Sequence, residues 1–229
     1  MFPEAIIGTW ATLFVASHLI LSSARLRPAL VSRFGEQGYR GIYSLVALAT
    51  LIPLALEFAR HKHMGAMLWY LRGDAPLRWL AWLMMLTALV FFVAGFITPN
   101  PGTIGAPADT SVRGILKLTR HPSFVGFILF GAAHVLMNGW SGDVLFFATF
   151  CVLGVLGGIH QDRRKIREVG EPYRRFFEQT SFIPGAALIS GRQTWSREDT
   201  PWAAIALGAS VTILIVIFHP YLFGGHPLG

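Results

Sequence analysis

The chain has 229 residues, 53% apolar and 14% charged, with a formal net charge of +7. Several apolar runs reach the ~20 residues needed to cross a bilayer. The chain therefore reads as an integral membrane protein, not a soluble domain, and its basic residues flank spans rather than mark a nucleic-acid surface. The one cysteine, Cys151, excludes an intrachain disulfide framework and a cysteine-rich metal site.

No basic stretch precedes the first apolar run and no transit peptide is evident, so the expected location is a bacterial inner (cytoplasmic) membrane. The expected fold is all-α: one domain over residues 1–229, a polytopic bundle of about six transmembrane helices. The first span is predicted from Ala5 to Arg27, stopped by Pro28, and the second from Gly41 to Phe58. The third runs from Leu77 to Ile97 and is closed by the breakers Pro99, Pro101 and Gly102. The fourth covers Pro122 to Asn138 and the fifth Asp143 to His160, joined by a turn so short that they must be antiparallel neighbours. The sixth starts at Asp199-Thr200-Pro201, with a capping side chain and a proline suited to the first turn, and ends near Phe218, before Pro220. Residues 161–197 are predicted to hold an interfacial helix and a return loop. Loops 23–40, 98–122 and 160–202 hold 15 of the 19 Lys and Arg residues. That asymmetry predicts three cytoplasmic loops and both termini periplasmic.

Polar groups inside spans are costly and mark function. His134 lies in the fourth span, roughly 18 Å in from Pro122 at ~1.5 Å per residue. If the first helix runs to Arg27, His18 lies roughly 14 Å in from the same face. Two imidazoles at similar depth can hold one flat cofactor, and Gly131, Ala132 and Ala133 would let a planar group approach. The alternative is that each histidine bonds a neighbouring helix carbonyl. Arg120-His121-Pro122 opens the fourth helix, where free N–H groups and positive charge favour an anion: a lipid phosphate, a haem propionate or a nucleotide-like cofactor. His160, Arg163 and Arg164, beside Asp162, can ligate, shuttle protons or pair with propionates, or form a solvated helix end. His61 and His63 lack a third ligand. His219 and His226 flank an external tail, and Arg25 and Arg27 are placed to snorkel. Tyr39, Tyr43 and Ser44 either face the bundle interior or pack. There is no Ser-His-Asp pattern, no phosphate loop and no carboxylate pair within a span.

These pieces together resemble the NnrU family, which also includes the 15-cis-zeta-carotene isomerases. The resemblance rests on His18 with Arg25 and Arg27, Tyr39 with Tyr43 and Ser44, and Arg120-His121-Pro122 with Gly126. It continues through His134 with Asn138 and Gly139, His160 with Asp162, Arg163 and Arg164, and Thr180, Ser181, Phe182 and Pro184 followed by Gly191 and Arg192. It implies a b-type haem with His18 and His134 as axial ligands. Arg120, His121, His160, Arg163 and Arg164 would hold propionates or line the mouth. It also implies a link to denitrification and nitric-oxide metabolism, with nitric oxide or a hydrophobic polyene as ligand. The isomerases carry a cysteine three residues before the second histidine, where this chain has Gly131. A more distant resemblance is to membrane methyltransferases of the isoprenylcysteine and phospholipid type. They share Arg120-His121-Pro122, Phe124, Gly126 and a later Tyr173-to-Pro184 segment, but have paired glutamates where Gln161-Asp162 stands. That resemblance implies S-adenosylmethionine. A non-catalytic accessory subunit of a respiratory nitrogen-oxide reductase is the third reading.

Overall fold

The computed structural model describes residues 3–102 and 111–224. The elements are α1 (Pro3–Leu21), α2 (Leu26–Arg60), α3 (Ala75–Ile97), α4 (Pro122–Met137), α5 (Ser141–Val169), α6 (Glu171–Gln179), α7 (Ala186–Ile189) and α8 (Trp202–Phe223). Short 3-10 turns occupy Gly114–Lys117 and Arg197–Asp199. Among the described residues there is no β-strand, only an isolated antiparallel bridge between Met67 and Trp140. Helices α1, α2, α3, α5 and α8 are long and apolar enough to cross a membrane, and α4 is a sixth, shorter apolar helix. The chain is a multi-pass membrane protein.

In space the helices follow the order α2, α1, α5, α4, α3, α8, each packed on the next. Lipid tails are as apolar as the helices, so association depends on close backbone approach at small residues. A Cβ on Gly126 would lie 2.9 Å from the Ala88 carbonyl oxygen, bringing α4 onto α3. One on Gly131 would lie 2.5 Å from the Phe147 carbonyl oxygen, bringing α4 onto α5. Large apolar side chains such as Leu45, Leu83, Phe96 and Ile213 point outward, as lipid-facing groups must.

Polar contacts collect at two ends of the bundle. On the basic face, Arg27 on α2 pairs with Glu168 on α5, Arg120 pairs with Asp162, and Lys117 pairs with Asp199. On the opposite face, Ser141 donates to Glu4, His63 bonds Asp143, and the Trp69 indole N–H donates to the end of α4.

Several expected boundaries move, each for a local reason. Helix α1 ends at Leu21, not Arg27: the Ser22 hydroxyl bonds back to the His18 carbonyl at 2.6 Å and the chain turns. Helix α2 begins at Leu26 and kinks at Gly35, whose φ of 71° and ψ of 169° suit glycine alone. Its first turns therefore form a separate interfacial segment before the span. Helix α5 runs on to Val169, nine residues past the expected end. At 29 residues it is about 43 Å long, more than the ~30 Å hydrocarbon layer, so its last turns emerge on the basic face. The predicted interfacial region is thus the end of α5 followed by α6 and α7. Pro201, not Asp199 or Thr200, stands at the N-cap of α8, which continues through Pro220 to Phe223.

Candidate functional site

The Arg-His-Pro segment builds a buried clasp. Pro122 opens α4, and the two residues before it turn inward toward α5. Arg120 donates from Nε and Nη2 to Asp162 Oδ2 at 2.9 and 2.8 Å. His121 Nε2 donates to Asp162 Oδ1 at 2.9 Å, and the Tyr173 hydroxyl on α6 donates to the same oxygen at 2.9 Å. The Arg120 guanidinium also lies over the Phe177 ring, 4.1 Å from its centroid. Burial, then the Asp162 charge and its hydrogen bond, push the Tyr173 hydroxyl pKa well above its ordinary value, so Tyr173 stays a donor. The clasp ties the start of α4 to α5 and α6. It spends the guanidinium edge of Arg120 and one nitrogen of His121 internally, while His121 Nδ1 is buried without a partner.

The bundle's main cavity, about 360 Å³, lies between α1, α2, α4 and α5 toward the basic face. Ligand pockets commonly hold roughly 300–1,000 Å³. Its walls are mostly apolar, with Phe14, Leu51, Phe127 and Phe150 prominent, and its polar members are His18, Ser22, Tyr39, Tyr43, His160, Gln161 and Arg164. His18 Nδ1 donates to the Phe14 carbonyl at 2.7 Å. A neutral imidazole then carries its free lone pair on Nε2, and the backbone bond fixes ring orientation as it does for metal-bound histidines. Phe14 and Tyr43 hold the ring edge-on at 4.3 and 5.3 Å between centroids. His160 Nε2 is buried without a hydrogen-bond partner. Arg164 is 5% exposed, and its Nε is likewise unpartnered.

The structure brings His18, His160 and Arg164 to one cavity and places His134 elsewhere. His134 sits in the last turn of α4, where Nδ1 donates to the Phe130 carbonyl at 2.9 Å and the ring stacks on Phe147 at 4.3 Å. His18 shares its cavity with Phe124 and Phe127, the first turns of α4. His134 is seven residues beyond Phe127, about 10 Å along the axis. The equal-depth expectation therefore does not hold. It depended on a first helix running to Arg27, and α1 stops at Leu21.

The other expected residues separate. Arg163 is exposed at a second cavity of about 350 Å³, shared with Arg120, Phe177 and Phe182. Tyr39 and Tyr43 face the main cavity, whereas Ser44 is exposed. His63 is engaged rather than loose: Nδ1 bonds buried Asp143 at 2.6 Å. His226 lies outside the described residues. Sequence reasoning missed that Tyr173 joins Asp162. The signal was present, since a tyrosine eleven residues after an acid across Gly170 can fold back onto it, but only α6 docking fixes the contact.

The NnrU protein family model matches residues 6–227. The chain belongs to the NnrU family. It is similar to the chloroplastic 15-cis-zeta-carotene isomerase of Arabidopsis thaliana, 26% identical over 97% of this chain and 61% of that protein. The Zea mays isomerase is similar at 25% identity, over 96% of this chain and 61% of the relative. This NnrU chain thus spans about three-fifths of the length of these two relatives. A likeness to the chloride channel protein ClC-Kb of Rattus norvegicus, 31% identical, covers 68% of this chain but only 24% of the channel. No solved structure matches the chain.

Proposed function

We propose that this NnrU protein is a membrane isomerase-like enzyme acting on a hydrophobic polyene, with haem b held in the main cavity by His18. The observation that carries the reading is the donor set of that cavity. His18 offers an oriented Nε2 lone pair, and His160 offers a buried Nε2 with no other partner. Among the described residues no three His, Cys, Asp or Glu side chains cluster, so the donors suit a group that brings its own equatorial ligands, as a porphyrin does. The residues present fit haem. Bound there, it would supply a redox-active iron able to take imidazole and small π-acceptor ligands.

The protein's own part is positioning. The Phe14 carbonyl sets the His18 tautomer, while Phe14 and Tyr43 restrict rotation of its ring. Apolar walls exclude water and suit an elongated hydrocarbon entering from the bilayer. His160, on the cytoplasmic side by the positive-inside rule, supplies a second imidazole. The isomerases named above lend the substrate class; this chain's own residues lend the site. Arg120 and His121, the residues a methyltransferase reading needs, both bond Asp162 inside the clasp.

The test is haem loading of detergent-purified protein, oxidised and then dithionite-reduced. A Soret band with sharp reduced α and β bands is expected. His18→Ala should abolish it, and His160→Ala should shift it to a high-spin form. His134→Ala should leave it intact. Full retention in both His18→Ala and His160→Ala refutes the site. Loss in His134→Ala with His160→Ala unchanged would assign the second ligand to His134.

A further inference from the structure

At the cavity mouth on the basic face, α2 and the emerging end of α5 carry a charge cluster that the proposed haem site does not use. Arg27 bonds both Glu36, at 3.1 Å, and Glu168, at 3.2 Å. Arg40 approaches Glu36 at 3.6 Å, and Arg164 pairs with Glu168 at 2.9 Å. Shared carboxylates thus hold three guanidiniums together. Buried Lys165 lies within electrostatic range of Arg164, Arg27 and both glutamates. Three guanidiniums meet two carboxylates.

The pairs do not saturate the arginines. Arg27 and Arg164 each leave Nε buried with no acceptor, whereas Arg40 Nε faces the Glu36 carboxylate. A buried unpaired donor is costly, and a charged one more so. Two such donors on neighbouring arginines, with excess positive charge, describe a place for an oxyanion. Arg164 reaches into the main cavity, and Arg27 lies over the Tyr39 ring that lines it, 5.3 Å from the centroid. The cluster stands between the first turns of α2 and the end of α5, and its neighbour is an apolar cavity. We propose that Arg27 and Arg164, with the charge of Arg40 beside them, form an oxyanion site that takes the phosphate of an anionic phospholipid at the cytoplasmic mouth. This assignment does not rest on haem.

The test uses the full chain without haem, delipidated and returned to nanodiscs. The discs contain phosphatidylcholine alone or with phosphatidylglycerol, and tightly held lipid is counted by native mass spectrometry. Phosphatidylglycerol should be retained about tenfold over phosphatidylcholine, because the phosphate is the same in both and choline sets a like charge beside the arginines. Arg164→Gln should remove the preference, while Arg33→Gln, an exposed arginine on the same interfacial segment, should not. Glu168→Gln should raise it, because it removes a competing carboxylate. A merely structural cluster would respond to Glu168→Gln and Arg164→Gln in the same direction, which would overturn the proposal. Equal retention of the two lipids in the wild type would overturn it too, unless inorganic phosphate at millimolar concentration protects the protein against unfolding in an Arg164-dependent way. That result would keep the oxyanion site and assign it to free phosphate.

Discussion

Asp162→Asn tests whether the Arg-His-Pro segment is a clasp or a ligand site. Asp162 is 4% exposed and accepts from Arg120 Nε, Arg120 Nη2, His121 Nε2 and the Tyr173 hydroxyl. Asparagine keeps one acceptor oxygen but turns an NH2 toward one set of donors. It also removes the charge opposite Arg120, which is 7% exposed. Breaking a buried pair in this way costs about 3–5 kcal/mol. At roughly 2–4 °C per kcal/mol for a chain of this size, the unfolding midpoint should fall by about 6–20 °C. Tyr173→Phe is the graded control: it deletes one hydrogen bond and leaves Asp162 with three donors, so about 1 kcal/mol is expected. The assay is thermal unfolding in dodecylmaltoside followed by fluorescence-detected size exclusion. An Asp162→Asn midpoint within about 2 °C of wild type would refute the clasp. If haem binding were lost at the same time, Arg120, His121 and Asp162 would be ligand-holding residues.

Two further perturbations probe packing and pH. Gly131→Ala should destabilise by about 1–3 kcal/mol in the same assay, as overpacked sites do. Its new methyl would meet the Phe147 carbonyl oxygen at 2.5 Å and Cys151 Sγ at 2.7 Å. Adding Cys151→Ala should recover only part of the loss, because the carbonyl cannot move without the helix, and full recovery would show that the sulfur alone sets the contact. Asp199 links the turn at Arg197–Asp199 to Lys117 and Gly114. Burial alone would raise its pKa, but Lys117, the Ser196 N–H and hydroxyl, and the Gly114 N–H hold it at about 2. A depressed folded pKa gives stability that is complete above the unfolded value of about 3.9 and lost as pH falls through about 2. The stability gap between wild type and Asp199→Asn should therefore be widest near pH 6 and close toward pH 2. A gap independent of pH would mean the carboxylate charge plays no part.

The sequence by itself determined that this is a helical membrane protein. Hydrocarbon leaves no alternative for backbone groups in runs such as Leu77–Ile97, so length and apolarity settle the spans without tertiary information. The short turn between Met137 and Ser141 likewise settles that α4 and α5 are antiparallel neighbours. Helix ends were less legible. Nothing in Ser22-Ser23-Ala24 forbids helix, and the stop at Leu21 comes from a serine bonding back to His18 and from the interfacial segment of α2. That shift decides which histidines can meet. Depth counted along a sequence is only as good as the helix end it is counted from, so His18 and His134 looked level. Burial of Arg164, the unpartnered nitrogen of His160 and the docking of Tyr173 on Asp162 depend on how far α5 extends past the bilayer and what folds back on it. Those are long-range contacts between helices, and only the tertiary structure could choose them.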